Sequence, residues 1–338
     1  MLVNQPFHIG PHRVPNPVAL APMSGVTDVV FRRLAVRLGA GWAVSEMVAS
    51  REFAAGDEES RLRAEGEGMP LRVVQLAGRA PRWMAEAARL AEASGADVID
   101  INMGCPAKKV VGGASGAALM RDLDLALGLI EATIAAVSVP VTLKMRLGWD
   151  EQSFVAPELA RRAEAAGIVL VTVHGRTRQQ FYSGQADWPA IAEVKAAVSI
   201  PLVANGDVIA AEDGAALLAV SGADAVMVGR GAQGRPWLPG QVASHLATGR
   251  APLAPPLDAQ REIALEHYEG LLSLYGHGVG VRHARKHLGW YLDAAAETAG
   301  QGVPAALRTR VLTADDAASA RAAFVAAHDA LESVEAAA

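Results

Sequence analysis

A single cysteine, Cys105, stands among 338 residues. That excludes an intramolecular disulfide framework and any cysteine-cluster zinc or iron-sulfur site, and it suits a reducing, cytoplasmic compartment. No apolar run reaches the roughly 18 residues that a membrane helix needs. The opening Met1-Leu2-Val3-Asn4-Gln5-Pro6 also lacks the basic and apolar regions of a signal peptide, so no membrane partner is expected. Positive charge is not in excess either: the formal net charge is -5. Bulk-charge binding to nucleic acid is therefore disfavoured, and a polyanion would have to be met by a local basic face.

What is present is a recurring grammar. A hydrophobic share of 51% allows an extensive core. After a lead containing Pro11, Pro15 and Pro17, residues 18–20 predict a buried strand that breaks at Ala21-Pro22-Met23-Ser24-Gly25 and gives way to a helix capped near Thr27 or Asp28. Further short strands are predicted at 42–47, 71–76, 98–103, 141–145, 169–174, 202–205 and 225–228. Between most of them lie alanine-rich amphipathic segments, 83–93, 123–137, 157–166 and 211–220, that end at Gly95, Gly167 or Gly222. A partial repeat supports the pattern: Ala135-Ala136-Val137-Ser138-Val139-Pro140-Val141 is echoed by Ala196-Ala197-Val198-Ser199-Ile200-Pro201-Leu202. About eight such units predict a (β/α)8 TIM barrel. An open doubly wound sheet gives similar alternation, but polar residues after almost every strand favour one ring of loops around a mouth.

The alternation stops after Gly229-Arg230. A proline-rich linker at 251–256 then separates a barrel over 1–250 from a small all-helical domain over 251–338, with helices at 259–275, 279–296, 304–310 and from Thr313 onward. Within that domain Arg282, Arg285 and Lys286 share one side of a helix. They form either a solvated face or, beside Trp290 and Tyr291, an RNA surface.

The strand ends name the candidate site. The strand 98–103 stops at Gly104-Cys105-Pro106, which holds a thiol where strand meets loop. A lone cysteine is often a small core residue. Here, however, Asp100 and Asn102 are polar groups in the same apolar strand, and Lys108 and Lys109 follow at a distance that could favour thiolate or bind phosphate. Met23 follows the first strand, Glu46 lies in the second and Gln75 in the third. Lys144 and Arg146 end the fifth, His174 and Arg176 the sixth, Asn205-Gly206-Asp207 the seventh and Gly229-Arg230 the eighth. Singly, His174 could be a core histidine, Gln75 a partner of nearby backbone, and Glu46 a counter-ion of Lys144 or an arginine. Their common location argues for a site. The loops after the last two strands commonly bind phosphate; Gly206, Gly229 and Gly231 allow close backbone approach, and Arg230 can pair bidentately. Together with Lys144, an ammonium in an apolar strand, they predict a phosphorylated cofactor with a charge-accepting ring.

The runs Ala21 to Asp28, Gln75-Leu76-Ala77-Gly78, Asp100 to Val110, Lys144-Met145-Arg146, Val173-His174-Gly175-Arg176-Thr177, Asn205-Gly206-Asp207, Met227-Val228-Gly229-Arg230 and Ala284-Arg285-Lys286-His287 resemble the tRNA-dihydrouridine synthases. The resemblance covers almost the whole chain and is nearest to the bacterial B-type, also labelled nitrogen-regulation-like. It implies an FMN enzyme that uses NADPH to reduce uridine in the tRNA D-loop to 5,6-dihydrouridine. By the same resemblance, Ala21, Pro22 and Met23 contact the flavin, Gln75, Lys144 and His174 bond its ring, and Asn205, Gly206, Asp207, Gly229 and Arg230 take its ribityl phosphate. Hydride passes from flavin N5 to uracil C6, and Cys105 is the general acid that protonates C5 from the opposite side. Asn102, Arg146, His174 and Arg176 are implied to orient the uracil. Lys108, Lys109, Arg282, Arg285 and Lys286 are implied to hold the tRNA, whose target base must be flipped out. No metal and no obligate protein partner is expected.

The chain departs from the family's pattern where asparagine, arginine and lysine often follow the Lys-Lys-Val run. It has Val111-Gly112-Gly113 there, and Ala117 where serine is common. Fewer cations in that loop predict that tRNA binding leans on Arg282, Arg285 and Lys286, and that the loop closes over Cys105 as substrate arrives. Two other readings stay open: a flavin reductase of a free pyrimidine or small enone, and an RNA-binding regulatory protein with a vestigial flavin.

Overall fold

In the computed structural model, which describes residues 6–335, the expected alternation is realised as a barrel of parallel strands. A short antiparallel hairpin, β1 (Phe7–Ile9) and β2 (His12–Val14), turns at Gly10. Next come β3 (Val18–Leu20), β4 (Trp42–Ala43), β5 (Val48–Ala49), β6 (Val73–Ala77), β7 (Val98–Met103), β8 (Val141–Arg146), β9 (Val171–His174), β10 (Leu202–Asn205) and β11 (Ala225–Val228). The nine strands pair in the order β4-β3-β11-β10-β9-β8-β7-β6-β5. A parallel bridge from Val44 to Val73 and the bond from Ser45 N to the Val73 carbonyl (3.0 Å) close the ring. β4 and β5 are thus two pieces of one barrel strand, interrupted where Ser45, Glu46 and Met47 leave the ladder. The continuous strand expected over 42–47 is broken because the buried Glu46 carboxylate turns to accept from Gly25 N instead of staying in register.

Buried on both faces, the strands are nearly continuous runs of Val, Ile, Leu and Ala, as parallel sheets require. Asp28, Asp122 and Asp187 cap the helices Val29–Arg37, Leu123–Ile134 and Trp188–Ala196, and Gly167 and Gly222 end theirs in the left-handed conformation. The repeated Ala-Ala-Val-Ser motif has one structural solution used twice. Glu92 accepts from Ser138 N (2.8 Å), Ser138 Oγ (2.6 Å) and Val139 N (3.2 Å), while Glu164 accepts from Ser199 N (3.0 Å), Ser199 Oγ and Ile200 N (3.1 Å). In both, a carboxylate from the barrel helix one unit earlier, Pro81–Ala93 or Ala156–Ala166, fixes the entry to a strand.

The lead read as merely Pro-rich contains the β1–β2 hairpin. Ile9 and Val14 pack with Trp42, Val73, Val98, Leu170, Val203 and Ala225, residues at or just before the starts of strands, so the hairpin plugs the barrel's N-terminal end. Phe7 stacks on Trp42 with ring centroids 5.3 Å apart. The opposite, C-terminal end is left for chemistry.

The chain divides into two compact units, Met1–Gly231 with Pro239–Ala251, and Ala232–Leu238 with Pro252–Ala338. The second is helical. Leu257–Ala299 runs as one long element broken only at Gly276, whose φ of 73° and ψ of 161° stop the helical ladder between the two helices expected there. Ala305–Thr313 and Ala317–Glu335 follow. The helix expected from Thr313 instead starts at Ala317, because Asp316 turns its carboxylate to Ser319 N (2.8 Å) as a cap. Among the described residues no helix is long and apolar enough to cross a membrane.

Candidate active site

Parallel register decides which polar side chains meet at the C-terminal end of the barrel. It sets Gln75 beside Asp100, Asn102 beside Lys144, Arg146 beside His174, and His174 beside Asn205. Because strand side chains alternate, Asp100 and Asn102 share one face of β7, and Thr142, Lys144 and Arg146 share one face of β8. A chain of hydrogen bonds results. Thr142 Oγ1 and Gln75 Nε2 each donate to the Asp100 carboxylate at 2.6 Å, and Asn102 Nδ2 donates to Gln75 Oε1 at 2.7 Å. Asn102 Oδ1 then accepts from Gly104 N (3.2 Å) and Cys105 N (3.0 Å), forming the turn that carries the thiol. Burial raises the Asp100 carboxyl above its ordinary range, against the bonds from Gln75 and Thr142 and the charge of Lys144. Gln75 is fully buried with both ends of its amide engaged in this network, so its visible role is to align Asn102.

Cys105 itself is half-buried, and its carbonyl accepts from Ala117 N at 3.1 Å. Gly116 has φ 60°, and a Cβ there would lie 2.8 Å from the Cys105 carbonyl oxygen. Glycine is required for the 3-10 turn Gly116–Arg121 to pack under the loop. The Lys-Lys-Val-Val-Gly run forms a short helix, Lys108–Gly112, with Lys108 and Lys109 exposed.

Two buried arginines hold the loops. Arg146 Nε donates to the Gly104 carbonyl (2.8 Å), and its Nη1 donates to the carbonyls of Thr177 and Phe181 (both 2.9 Å). Arg176 Nε donates to the Ser183 carbonyl (3.1 Å), Nη2 to the Gly184 carbonyl (2.6 Å), and Nη1 and Nη2 both reach the Asp207 carboxylate (2.8 and 2.7 Å). Arg176, implied to orient the substrate, has every guanidinium nitrogen hydrogen-bonded within the protein. Asp207 differs from expectation as well. Its carboxylate serves Arg176 and Ala186 N (2.7 Å), so an approaching phosphate meets a fixed anion there and not a free donor. Burial would raise the Asp207 carboxyl, but the bonds from Arg176 and Ala186 N hold it below the usual range.

Lys144 Nζ donates to Asn205 Oδ1 at 3.1 Å, and Asn205 Nδ2 donates to the Met227 carbonyl at 2.8 Å. Among the described residues the ammonium's hydrogen-bond partner is thus a neutral amide, with the Asp100 carboxylate acting on it through space. Burial, with Arg146 adding like charge, lowers it to about 8. His174 lies among Arg146, Lys144, Arg176 and Arg230; burial first, and then those cations, take its imidazole well below its ordinary value, so it is neutral at physiological pH. Of the two counter-ion readings for Glu46 the arginine one fits: its carboxylate accepts from Gly25 N and feels the charges of Arg63 and Arg32, while burial raises its carboxyl. Around the rim lie Pro22 and Met23, both half-buried, with Ala21 N bonded to the Val228 carbonyl (2.8 Å). A Cβ on Gly229 would sit 3.9 Å from both Ala21 Cβ and Asn205 Nδ2, ordinary contact distance. Gly206, at φ 136°, has a different reason to be glycine: a Cβ would lie 2.6 Å from Ala186 Cβ. Arg230 is about half exposed, 3.4 Å from Asp207 and 4.8 Å from the ring centroid of Tyr182.

Tyr182 and Phe181, both exposed, are site residues that strand-end reasoning missed because they lie deep in the loop after β9. The signal available was an aromatic pair in an otherwise polar run. In the helical unit, Arg285, implied to hold the tRNA, is bonded within the protein through two of its three guanidinium nitrogens. Its Nε and Nη2 donate to the Ala314 carbonyl (3.1 and 2.6 Å) at the end of the helix Ala305–Thr313, and Nη2 pairs with Asp315 (2.7 Å). Arg282 and Lys286 are exposed.

The dihydrouridine synthase family model matches residues 19–321. The chain belongs to that family. This dihydrouridine synthase is 61% identical over 280 residues to a probable tRNA-dihydrouridine synthase of Rhizobium leguminosarum bv. phaseoli, covering 83% of this chain and 86% of the relative. It is 51% identical to the tRNA-dihydrouridine synthase B of Xanthomonas axonopodis pv. citri, covering 84% and 86%. Among solved structures, histamine dehydrogenase from Rhizobium sp. 4-9 superimposes with a TM-score of 0.54 at 14% identity, over 79% of this chain and 51% of that one. That likeness concerns the fold alone.

Proposed function

We propose that this chain reduces a uridine of the tRNA D-loop to 5,6-dihydrouridine, with FMN bound at the barrel mouth and NADPH as reductant. The observation that carries the reading is the shared mouth of Cys105 and Lys144. A thiol on a turn fixed by Asn102 faces the same opening as the half-buried Lys144 ammonium, whose hydrogen-bond partner among the described residues is a neutral amide. An ammonium so placed calls for an anionic or electron-accepting ligand. The donor set fits FMN: Lys144 for the ring, the backbone of Ala21, Pro22 and Met23 beside it, and Gly229 with the half-exposed Arg230 for a phosphate.

The flavin, when bound, supplies the hydride that saturates the uracil C5–C6 bond. The chain's own residues do the rest. Cys105 gives its proton to C5, and a general acid must hold that proton at working pH. Asn102 and Arg146 keep the Cys105 turn in place, so the thiol does not have to find its position after substrate arrives. Arg146 Nη2 has no partner in the protein among the described residues and is available to a uracil oxygen. Neutral His174 can accept or donate one hydrogen bond without adding charge. Lys108, Lys109 and Arg282 are exposed cations available to RNA phosphates, and Lys286 is exposed as well.

The reading is tested by mapping dihydrouridine in tRNA from a strain lacking the protein, then adding purified holoprotein and NADPH. Loss at a D-loop position, restored by the native protein and not by Cys105→Ala, supports it. Unchanged dihydrouridine in the deletion strain removes it.

A further inference from the structure

Beside the mouth lies a second cluster of groups that the reaction above does not use. Trp149, in the loop after β8, carries two guanidinium groups against its ring: Arg121, from the 3-10 turn behind Cys105, and Arg178, from the loop after β9, each 4.9 Å from the ring centroid. The loops are tied together by main chain, with Arg178 N bonded to the Gly148 carbonyl and Gln179 N to the Trp149 carbonyl, both at 2.9 Å. No carboxylate pairs with either arginine among the described residues, in a protein whose net charge is -5. Elsewhere on the barrel helices Arg89, Arg161 and Arg162 do have acidic partners. Arg178 Nε is in addition buried with no hydrogen-bond acceptor. A buried guanidinium N–H without an acceptor is costly, and the cost is recovered if a ligand brings an oxygen to it.

Arg121 and Trp149 line a cavity of about 440 Å³ together with Met120, Asp150, Gln152 and Ser153. That volume lies within the usual range for small-ligand pockets and exceeds what one nucleobase fills. Asp150 places one carboxylate in this lining, where it accepts from Ser153 Oγ (2.5 Å) and Gln152 N (3.1 Å). The cluster is also joined to the catalytic loop. Cys105 O accepts from Ala117 N in the turn that ends at Arg121, and Arg146 ties Gly104 to Thr177, the residue before Arg178.

We propose that Arg121, Trp149 and Arg178 form a nucleotide subsite that takes an RNA phosphodiester, with its base in the adjoining cavity, flanking the uridine under reduction. The inference rests on the functional reading above. Its chemistry is that of a cation pair held rigid on an indole face, with RNA phosphate supplying the missing acceptors. A free pyrimidine has no phosphodiester and would leave the subsite empty, so the subsite favours RNA over a small substrate.

The test measures binding of unmodified tRNA transcript to the flavin-loaded protein across a salt series, for the wild type, Arg121→Ala/Arg178→Ala and Trp149→Phe. Melting temperature and flavin absorbance serve as folding controls. The double variant is expected to bind at least tenfold more weakly, with a log–log salt slope shallower by roughly 0.7–0.9 per lost phosphate contact. Trp149→Phe, which keeps an aromatic face, is expected to retain most of the affinity. A double variant with wild-type affinity and slope overturns the subsite alone, leaving the uridine reductase in place. A wild-type protein that binds no tRNA overturns the functional reading and the subsite with it.

Discussion

Arg146 Nε donates to the Gly104 carbonyl at 2.8 Å, so a guanidinium from β8 anchors the residue next to Cys105. The same side chain holds two carbonyls of the loop after β9. Replacing it by methionine keeps most of the apolar stem and leaves three carbonyls without their donor. We expect Arg146→Met to lose about 3 kcal/mol of stability and at least tenfold in kcat for tRNA reduction. Arg146→Lys should recover part of the stability and little of the rate. Thermal melts and single-turnover reduction separate the two effects.

Removing the Cys105 sulfur tests the acid directly. Cys105→Ala leaves the Asn102 turn intact, because that turn is made from backbone N–H groups. Flavin absorbance should be unchanged and uridine reduction should fall by 10²-fold or more, the scale of general acid catalysis. Turnover within a few-fold of wild type would remove the thiol from the mechanism.

Lys144 sets a pH dependence. Burial lowers its ammonium to about 8, so the apoprotein carries the charge at neutral pH and loses it above that value. An anionic ligand that needs the charge should bind progressively more weakly between pH 7.5 and 9.5, in units of roughly tenfold per pH unit beyond the pKa. For stability the sign is opposite. The unfolded chain holds the proton more tightly, so the group's unfavourable contribution is full below about pH 8 and is relieved as pH rises toward its ordinary value. Flavin titrations of wild type and Lys144→Met across this range should converge at high pH.

Asp207 gives an acid-side prediction. Its carboxyl is held below the usual range despite burial, by Arg176 and Ala186 N, so the stability it contributes is present at neutral pH and lost as pH falls through its lowered pKa. Asp207→Asn leaves Arg176 buried without its anion. A cost of about 3 kcal/mol is expected at pH 7, with the difference from wild type shrinking below roughly pH 4. Denaturant melts at pH 7 and pH 3.5 measure it.

The barrel was legible because its signals are local and repeated. Periodic apolar strands, aspartate caps and closing glycines each act within a few residues, and β7, β10 and β11 begin and end where the pattern says. The break between β4 and β5 was not legible, since it depends on Glu46 finding Gly25 N in the loop after the neighbouring β3. The hairpin Phe7–Val14 was hidden in a lead read only for its prolines, although its apolar residues close the barrel floor. In the site, residue types were readable and partners were not. Lys144, Asn205 and Cys105 stand at strand ends as the sequence implies, whereas the internal partners of Arg176 and Arg285, namely Asp207, the Ser183 and Gly184 carbonyls, Ala314 and Asp315, could not be read from it. Such pairing joins residues distant in sequence, and charge composition carries no trace of it.

The Arg146 anchor has a consequence for how this site can diverge. Its three acceptors belong to the main chain, and every residue type presents a carbonyl. Side chains at 177–182 can therefore be exchanged, and a different nucleotide neighbourhood selected, without loosening the thiol. A fixed reaction centre is in this way mechanically uncoupled from a variable reading surface.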